Sequence, residues 1–101
     1  MEKLIPTTLL ENLPKLYETE GVSDPLCHIK LFTPDSNWTW YIIEFSNDTR
    51  KIFYGYVVGF ETELGYFSLE EIESIRGILD LHIERDTSFQ PTPLSVIKAQ
   101  I

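Results

Sequence analysis

The stretch from Phe32 to Phe45, FTPDSNWTWYIIEF, decides the fold because a proline turn leads directly into a dense run of strand-forming residues. Alternation assigns one side of the predicted strand to Trp38, Trp40, Ile42 and Glu44, and the other side to Thr39, Tyr41, Ile43 and Phe45. Both sides are mostly apolar, which is typical of a central strand covered on two faces. We therefore predict that most of these aromatic rings pack in a core, while one tryptophan could still line a partner pocket.

Two further segments flank this strand and have the same period of two. PLCHIKLF, residues 25–32, predicts a strand with Cys27, Ile29 and Leu31 on one face. KIFYGYVVGF, residues 51–60, predicts another strand, in which Gly55 and Gly59 share a face. Glycine weakens a strand, so this spacing indicates that something bulky, such as a ring of the preceding strand, packs over the backbone. ELGYFS, residues 63–68, could add a short fourth strand.

The clearest helix signal is SLEE, residues 68–71, which matches a capping box. It predicts a helix from Leu69 to Arg76 whose apolar side continues to Leu79, with Gly77 as a left-handed C-terminal residue.

Shorter helices are predicted near both ends of the chain. The first is capped by Thr7 or Thr8 and stops at Pro14, and the last is capped by Thr92 and begins at Pro93. Together these elements predict one α+β domain, residues 1–101, built as a three- or four-stranded antiparallel meander with short helices packed on it.

The charge of the chain is strongly negative and unevenly distributed. The formal net charge is -8. The segment from Glu61 to Asp86 contains eight acidic residues and only two basic ones, Arg76 and Arg85, so its net charge is -6. Phosphate backbones repel such a chain, so direct nucleic-acid binding is disfavoured, while a basic protein partner is favoured.

Several other classes of site lack support in the sequence. The single cysteine, Cys27, cannot form an internal disulfide, which together with the absence of a recognisable signal peptide predicts a cytoplasmic protein. The longest apolar run is too short to cross a membrane. Neither catalytic residues nor a cofactor are predicted, and no zinc spacing occurs; the one imaginable metal site would combine oxygens of Glu61, Glu63 and Asp86.

Three segments carry a resemblance to a known family: FTPDSNWTWY (32–41), GYVVGFETELGYFSLEEIESIRG (55–77) and IERDTSFQPTPLS (83–95). They resemble an uncharacterised family of short bacterial proteins, a domain of unknown function often carried on plasmids, integrative elements and phages. The resemblance implies a bacterial accessory protein linked to mobile DNA, and it implies no catalytic residues.

Two functional hypotheses follow. The first is a non-catalytic protein-interaction module whose acidic face binds a basic partner; this face comprises Glu61, Glu63, Glu70, Glu71, Glu73, Glu84 and Asp86. The second is a small enzyme or ligand-binding domain with a pocket lined by Asp35, Trp38, Glu63, Tyr66, Arg85 and Asp86. An exposed strand edge would also permit a homodimer, although nothing in the sequence specifies one.

Overall fold

The computed structural model describes residues 3–101, which form an antiparallel α+β fold. In chain order the elements are α1 (Thr7–Glu11), β1 (Leu26–Cys27), β2 (Ile29–Phe32), β3 (Thr39–Ser46), β4 (Ile52–Val58), β5 (Thr62–Ser68), α2 (Leu69–Ser74), β6 (Glu84–Arg85), β7 (Thr92–Pro93) and α3 (Leu94–Ala99). The main sheet has the order β5-β4-β3-β2-β6, and β1 pairs with β7 in a separate two-stranded ribbon.

The predicted meander is present as β2 to β5, because each strand pairs with the next through a short connection. The strand count is higher than predicted, since β6 adds to the outer side of β2 and the ribbon forms elsewhere. Both additions are strands of only two residues, too short for a period to show in the sequence.

The main sheet is covered on both faces, as the apolar character of β3 predicts. Trp40, Ile42 and Phe53 lie on one side, here called the tryptophan face, where α2 and the N-terminal segment pack on them through Ile72 and Ile5. The other side is called the tyrosine face. Its cluster joins buried residues of β1, β3, β4 and α3, namely Cys27, Tyr41, Ile43, Tyr56, Leu94 and Ile97.

A β-bulge in β3 corrects the predicted alternation. Pairing with β4 shifts between Ile42 and Glu44, so Ile43 is an extra residue in the ladder. The bulge places Phe45, rather than Glu44, on the tryptophan face with Trp40 and Ile42. Glu44 lies opposite Tyr54, on the tyrosine face.

The segment 25–32 is not one strand, because it breaks at His28. Cys27 pairs with Thr92 and packs in the tyrosine-face cluster, whereas Ile29 and Leu31 pack on the tryptophan face. The prediction that these three residues share a face is therefore wrong. Burial, with a smaller contribution from Asp24, raises the pKa of the Cys27 thiol to about 12, so the reactive thiolate form is strongly disfavoured.

Helix α2 confirms the predicted start and corrects the predicted end. Ser68 accepts a hydrogen bond from the Glu71 backbone N–H at 3.0 Å, as a capping box requires. The helix stops at Ser74, and Gly77 does not have a positive φ. Leu79 lies beyond the helix and is 72% exposed, so it does not extend the apolar side.

The caps of the two terminal helices also differ from the prediction. Pro6 precedes α1, and among the residues that the structure describes no side-chain cap hydrogen bond is present at that helix. Thr92 donates to the Gln90 carbonyl instead of capping α3. Asp24 takes that role from the other end of the chain, accepting the Ser95 N–H at 2.9 Å and the Ser95 hydroxyl at 2.6 Å. A cap supplied 71 residues away leaves no local signal in the sequence.

Candidate protein-interaction surface

The predicted acidic residues do not form one patch, because the sheet separates them. β5 carries Glu63 at one edge and β6 carries Glu84 at the opposite edge, with three strands between them. At about 4.8 Å per strand, these edges lie roughly 19 Å apart. Asp86, just after β6, is therefore remote from Glu61 and Glu63, and the imagined oxygen-ligand metal site is not assembled.

Asp86 is half-buried, and both of its carboxylate oxygens already contact other residues. Its Oδ1 accepts the Ser88 N–H at 3.0 Å and the Ser88 hydroxyl at 2.7 Å, and its Oδ2 lies 4.0 Å from the Lys30 ammonium. These contacts lower the pKa of Asp86, the Ser88 hydrogen bonds contributing most. Asp86 thus organises a turn and offers little free charge to a partner.

The other predicted acids are exposed, and several share the tryptophan face. Glu70, Glu71 and Glu73 lie on α2, which packs on that face through Ile72. Glu63 pairs with Val57 across β4 and β5, and the Val57 side chain packs on the tryptophan face. The Glu63 carboxylate therefore also projects from the tryptophan face. Glu73 and Glu84 line one shallow depression together.

The six residues of the predicted pocket are divided among separate places. Trp38, Arg85 and Asp86 line one open cavity of about 680 Å³. Tyr66 lines a different cavity with Tyr17 and Tyr54. Asp35 points instead at the loop after α2, and Glu63 is at the far edge of the sheet.

An apolar depression lies beside α2; the sequence predicted only that one tryptophan could line a pocket, and not the other residues of this depression. It has a volume of about 570 Å³, and its apolar lining comes from Trp38, Trp40, Ile75 and Ile78, with Glu71 and Arg76 at its border. We call it the tryptophan depression. Trp38 stacks on Trp40 with ring centres 5.9 Å apart, and Phe60 meets the edge of this stack at 5.4 Å from Trp38.

The side chains around the tryptophan depression are unusually exposed for their type. Phe60 is 95% exposed, Ile78 is 86% exposed and Leu79 is 72% exposed. Isolated exposed apolar residues are ordinary, but a group of them beside an aromatic depression makes this a candidate interaction surface. Sequence reasoning missed it because an apolar residue beside a strand or helix is interpreted as core.

Gly59 allows Trp38 to take its position. A Cβ at Gly59 would overlap the Trp38 ring, so only glycine leaves room for the ring to lie flat on the end of β4. This confirms the predicted ring over the glycine backbone at Gly59. At Gly55 the close neighbour is instead the backbone carbonyl of Tyr41.

A long-range contact from Asp35 fixes the loop that carries Ile78 and Leu79. The Asp35 Oδ2 accepts the backbone N–H of Leu79 at 2.7 Å and that of Leu81 at 3.2 Å. Gly77 packs so closely on this carboxylate that a Cβ there would overlap it. These contacts with Asp35 fix the backbone of the loop, and the loop exposes the apolar side chains of Ile78 and Leu79 to solvent.

Two kinds of feature are absent from the described residues, clusters of metal ligands and membrane-spanning helices. Residues 3–101 contain no group of three or more His, Cys, Asp or Glu side chains placed to hold a metal ion. Within the same range, no helix has the length and apolar character that a bilayer crossing requires. No strand of residues 3–101 pairs with the outer side of β5, and the homodimer stays a prediction.

The fold and surface define a small α+β protein that presents an apolar depression with Glu71 and Arg76 in its lining. A model of the family described as "Protein of unknown function (DUF2958)" matches residues 3–100, and the chain belongs to that family. Neither the curated proteins nor the solved structures gave a match to the chain.

Proposed function

We propose that the protein is a non-catalytic binding module whose tryptophan face captures a basic segment of another protein. The observation that carries this proposal is the exposure of Ile78, which lines the tryptophan depression, together with that of Phe60, which packs against Trp38, and of Leu79, the residue after Ile78. Interfaces concentrate such aromatic and aliphatic anchors at their centre and place polar groups at the rim.

The charge around these anchors selects the class of partner. From Gly59 to His82 the chain carries six acidic residues and one basic residue, Arg76. The Arg76 guanidinium donates to the carbonyl oxygens of Glu73 and Ile75, both at 3.0 Å, so it is committed to the end of α2. A partner that inserts apolar side chains and surrounds them with lysine or arginine would complement this face.

The resemblance to proteins carried on mobile DNA supports one class of partner. Nucleic-acid-handling and defence proteins have basic grooves, and an acidic surface can occupy such a groove in place of phosphates. We propose a cytoplasmic bacterial setting of that kind for the interaction.

Removing the anchors tests the proposal. The double variant Phe60→Ser/Ile78→Ser should keep the fold, because both side chains are largely exposed, and should weaken partner capture by at least about tenfold. The measurement is quantitative affinity capture from the native host. The matched control is Val96→Ser/Ile101→Ser, which removes exposed apolar side chains elsewhere on the molecule. Equal capture by both double variants would contradict the proposal.

A charge reversal in the same assay separates electrostatic from apolar recognition. Glu70→Lys/Glu71→Lys/Glu73→Lys should reduce capture more than Glu11→Lys/Glu18→Lys/Glu20→Lys, although both variants change the net charge equally. The difference should shrink in high salt, because screening weakens interactions between exposed charges.

A further inference from the structure

A second cavity, on the tyrosine face, is walled by aromatic rings that the proposed function does not use. It has a volume of about 360 Å³ and lies between β4, β5 and the segment 17–25. The ring of Tyr66 is 5.0 Å from that of Tyr54 and 6.3 Å from that of Tyr17, with tilts of 46° and 54°. We call this the tyrosine cavity. Tyr66 is 56% exposed and Tyr17 is 63% exposed, so a ligand can reach their rings.

A buried carboxylate also lines the tyrosine cavity. Glu44 is only 2% exposed, and its oxygens accept the backbone N–H of Tyr17 at 2.8 Å and of Thr19 at 2.9 Å. All of these donors are neutral. Within residues 3–101, no lysine or arginine nitrogen lies within 4.0 Å of Glu44. The cavity lining also includes Glu20 and Lys98, so two carboxylates stand against one lysine there.

Neighbouring tyrosines on the same face already have cations over their rings. The Lys30 ammonium lies 5.9 Å from the centre of the Tyr41 ring, and the Lys98 ammonium lies 5.7 Å from that of Tyr56. Over the Tyr17, Tyr54 and Tyr66 rings, the described chain supplies no such cation. The negative face of an aromatic ring attracts a cation within about 6 Å, most strongly where solvent is displaced.

We propose that the tyrosine cavity binds an organic cation, an alkylammonium or guanidinium group, against the faces of Tyr17, Tyr54 and Tyr66. Glu44 and Glu20 supply the balancing charge. The rings remain suited to this role near neutral pH: desolvation raises the pKa of Tyr66, and Tyr17, Tyr54 and Glu44 raise it further, so this phenol stays neutral. This proposal is independent of the tryptophan face.

Choline and its neutral analogue provide a direct test. The analogue is the dimethylbutanol in which an uncharged tert-butyl group replaces the trimethylammonium group. Each is titrated into the full chain while the aromatic NMR signals of Tyr17, Tyr54 and Tyr66 are followed. Choline should bind saturably and at least about tenfold more tightly than dimethylbutanol.

Variants of Tyr66 test the role of the ring face. Tyr66→Leu should weaken choline binding by about tenfold, whereas Tyr66→Phe, which keeps the ring, should change it by no more than about threefold. The exposure of Tyr66 makes both variants compatible with folding, which circular dichroism verifies. Equal loss in both variants would contradict the proposed contact.

Two sources of the cation are distinguished by a second titration with N-acetyl-arginine amide. Tighter binding of choline supports a free alkylammonium ligand, and tighter binding of the arginine amide supports a side chain of a partner protein. The proposal is overturned if neither cation binds more tightly than dimethylbutanol.

Discussion

Replacing Glu44 with alanine is expected to lower the free energy of unfolding by about 3 kcal/mol, because a buried acceptor of several hydrogen bonds is lost. Its two oxygens accept the backbone N–H of Tyr17 and of Thr19, and the Thr19 hydroxyl as well. Without the carboxylate, which is itself only 2% exposed, these part-buried donors lose their acceptor. Chemical denaturation followed by tryptophan fluorescence measures the change.

The backbone conformation of Tyr17 makes the stability of the fold depend further on Glu44. Tyr17 has a φ of 69°, in the left-handed region that non-glycine residues rarely adopt, so its conformation must be held by contacts. Glu44→Gln keeps one acceptor oxygen and should lose less stability than Glu44→Ala. Glu18→Ala is the matched control in the same segment and should change stability by less than about 0.5 kcal/mol, because its side chain is exposed. Similar stabilities for Glu44→Ala and Glu18→Ala would contradict this role for Glu44.

Replacing Gly55 with alanine is the second large effect that we expect. A Cβ at this position would overlap the carbonyl oxygen of Tyr41 and crowd the backbone of Ile42, at the bulge of the central strand. Backbone atoms of a paired strand cannot move aside as the end of a flexible side chain can. Overpacking in a core typically costs about 1–3 kcal/mol, and we expect a value at or above the upper end of this range.

Gly65 provides a matched control for Gly55, because the two glycines are paired across β4 and β5. A Cβ at Gly65 would meet no atom within 4 Å, and its φ is not positive. Gly65→Ala should therefore be neutral or stabilise by up to about 1 kcal/mol, by restricting the unfolded chain. Thermal unfolding of both variants measures the contrast. A Gly55→Ala protein as stable as Gly65→Ala would refute the packing argument.

The elements that could be predicted are those whose signal is local and periodic. Alternation in residues 38–45 and 51–60 predicted the central strands, which the structure places at 39–46 and 52–58, and Ser68 with Glu71 predicted the start of α2. The bulge at Ile43 could not be predicted, because the apolar pair Ile42–Ile43 fits uninterrupted alternation equally well. β6 was missed because two residues carry no period.

The candidate surface depended on contacts between distant parts of the chain. Asp35 is predicted to line a ligand pocket, whereas its carboxylate accepts hydrogen bonds from Leu79 and Leu81, more than forty residues away. The exposure of Phe60 and Ile78 could not be predicted from the sequence, because an apolar residue next to a strand or helix is normally buried. The acidic segment is visible in the sequence, but its division between two sheet edges follows only from the strand order.

The most direct measurement of the central claim is amide hydrogen exchange on the protein with and without its captured partner. If the tryptophan face is the binding surface, exchange should slow by at least about tenfold at residues 59–61 and 76–81, with no change in α3. Slowing confined to α3 and the tyrosine cavity, with residues 59–61 and 76–81 unaffected, would contradict the proposal that the acidic, apolar tryptophan face binds the partner.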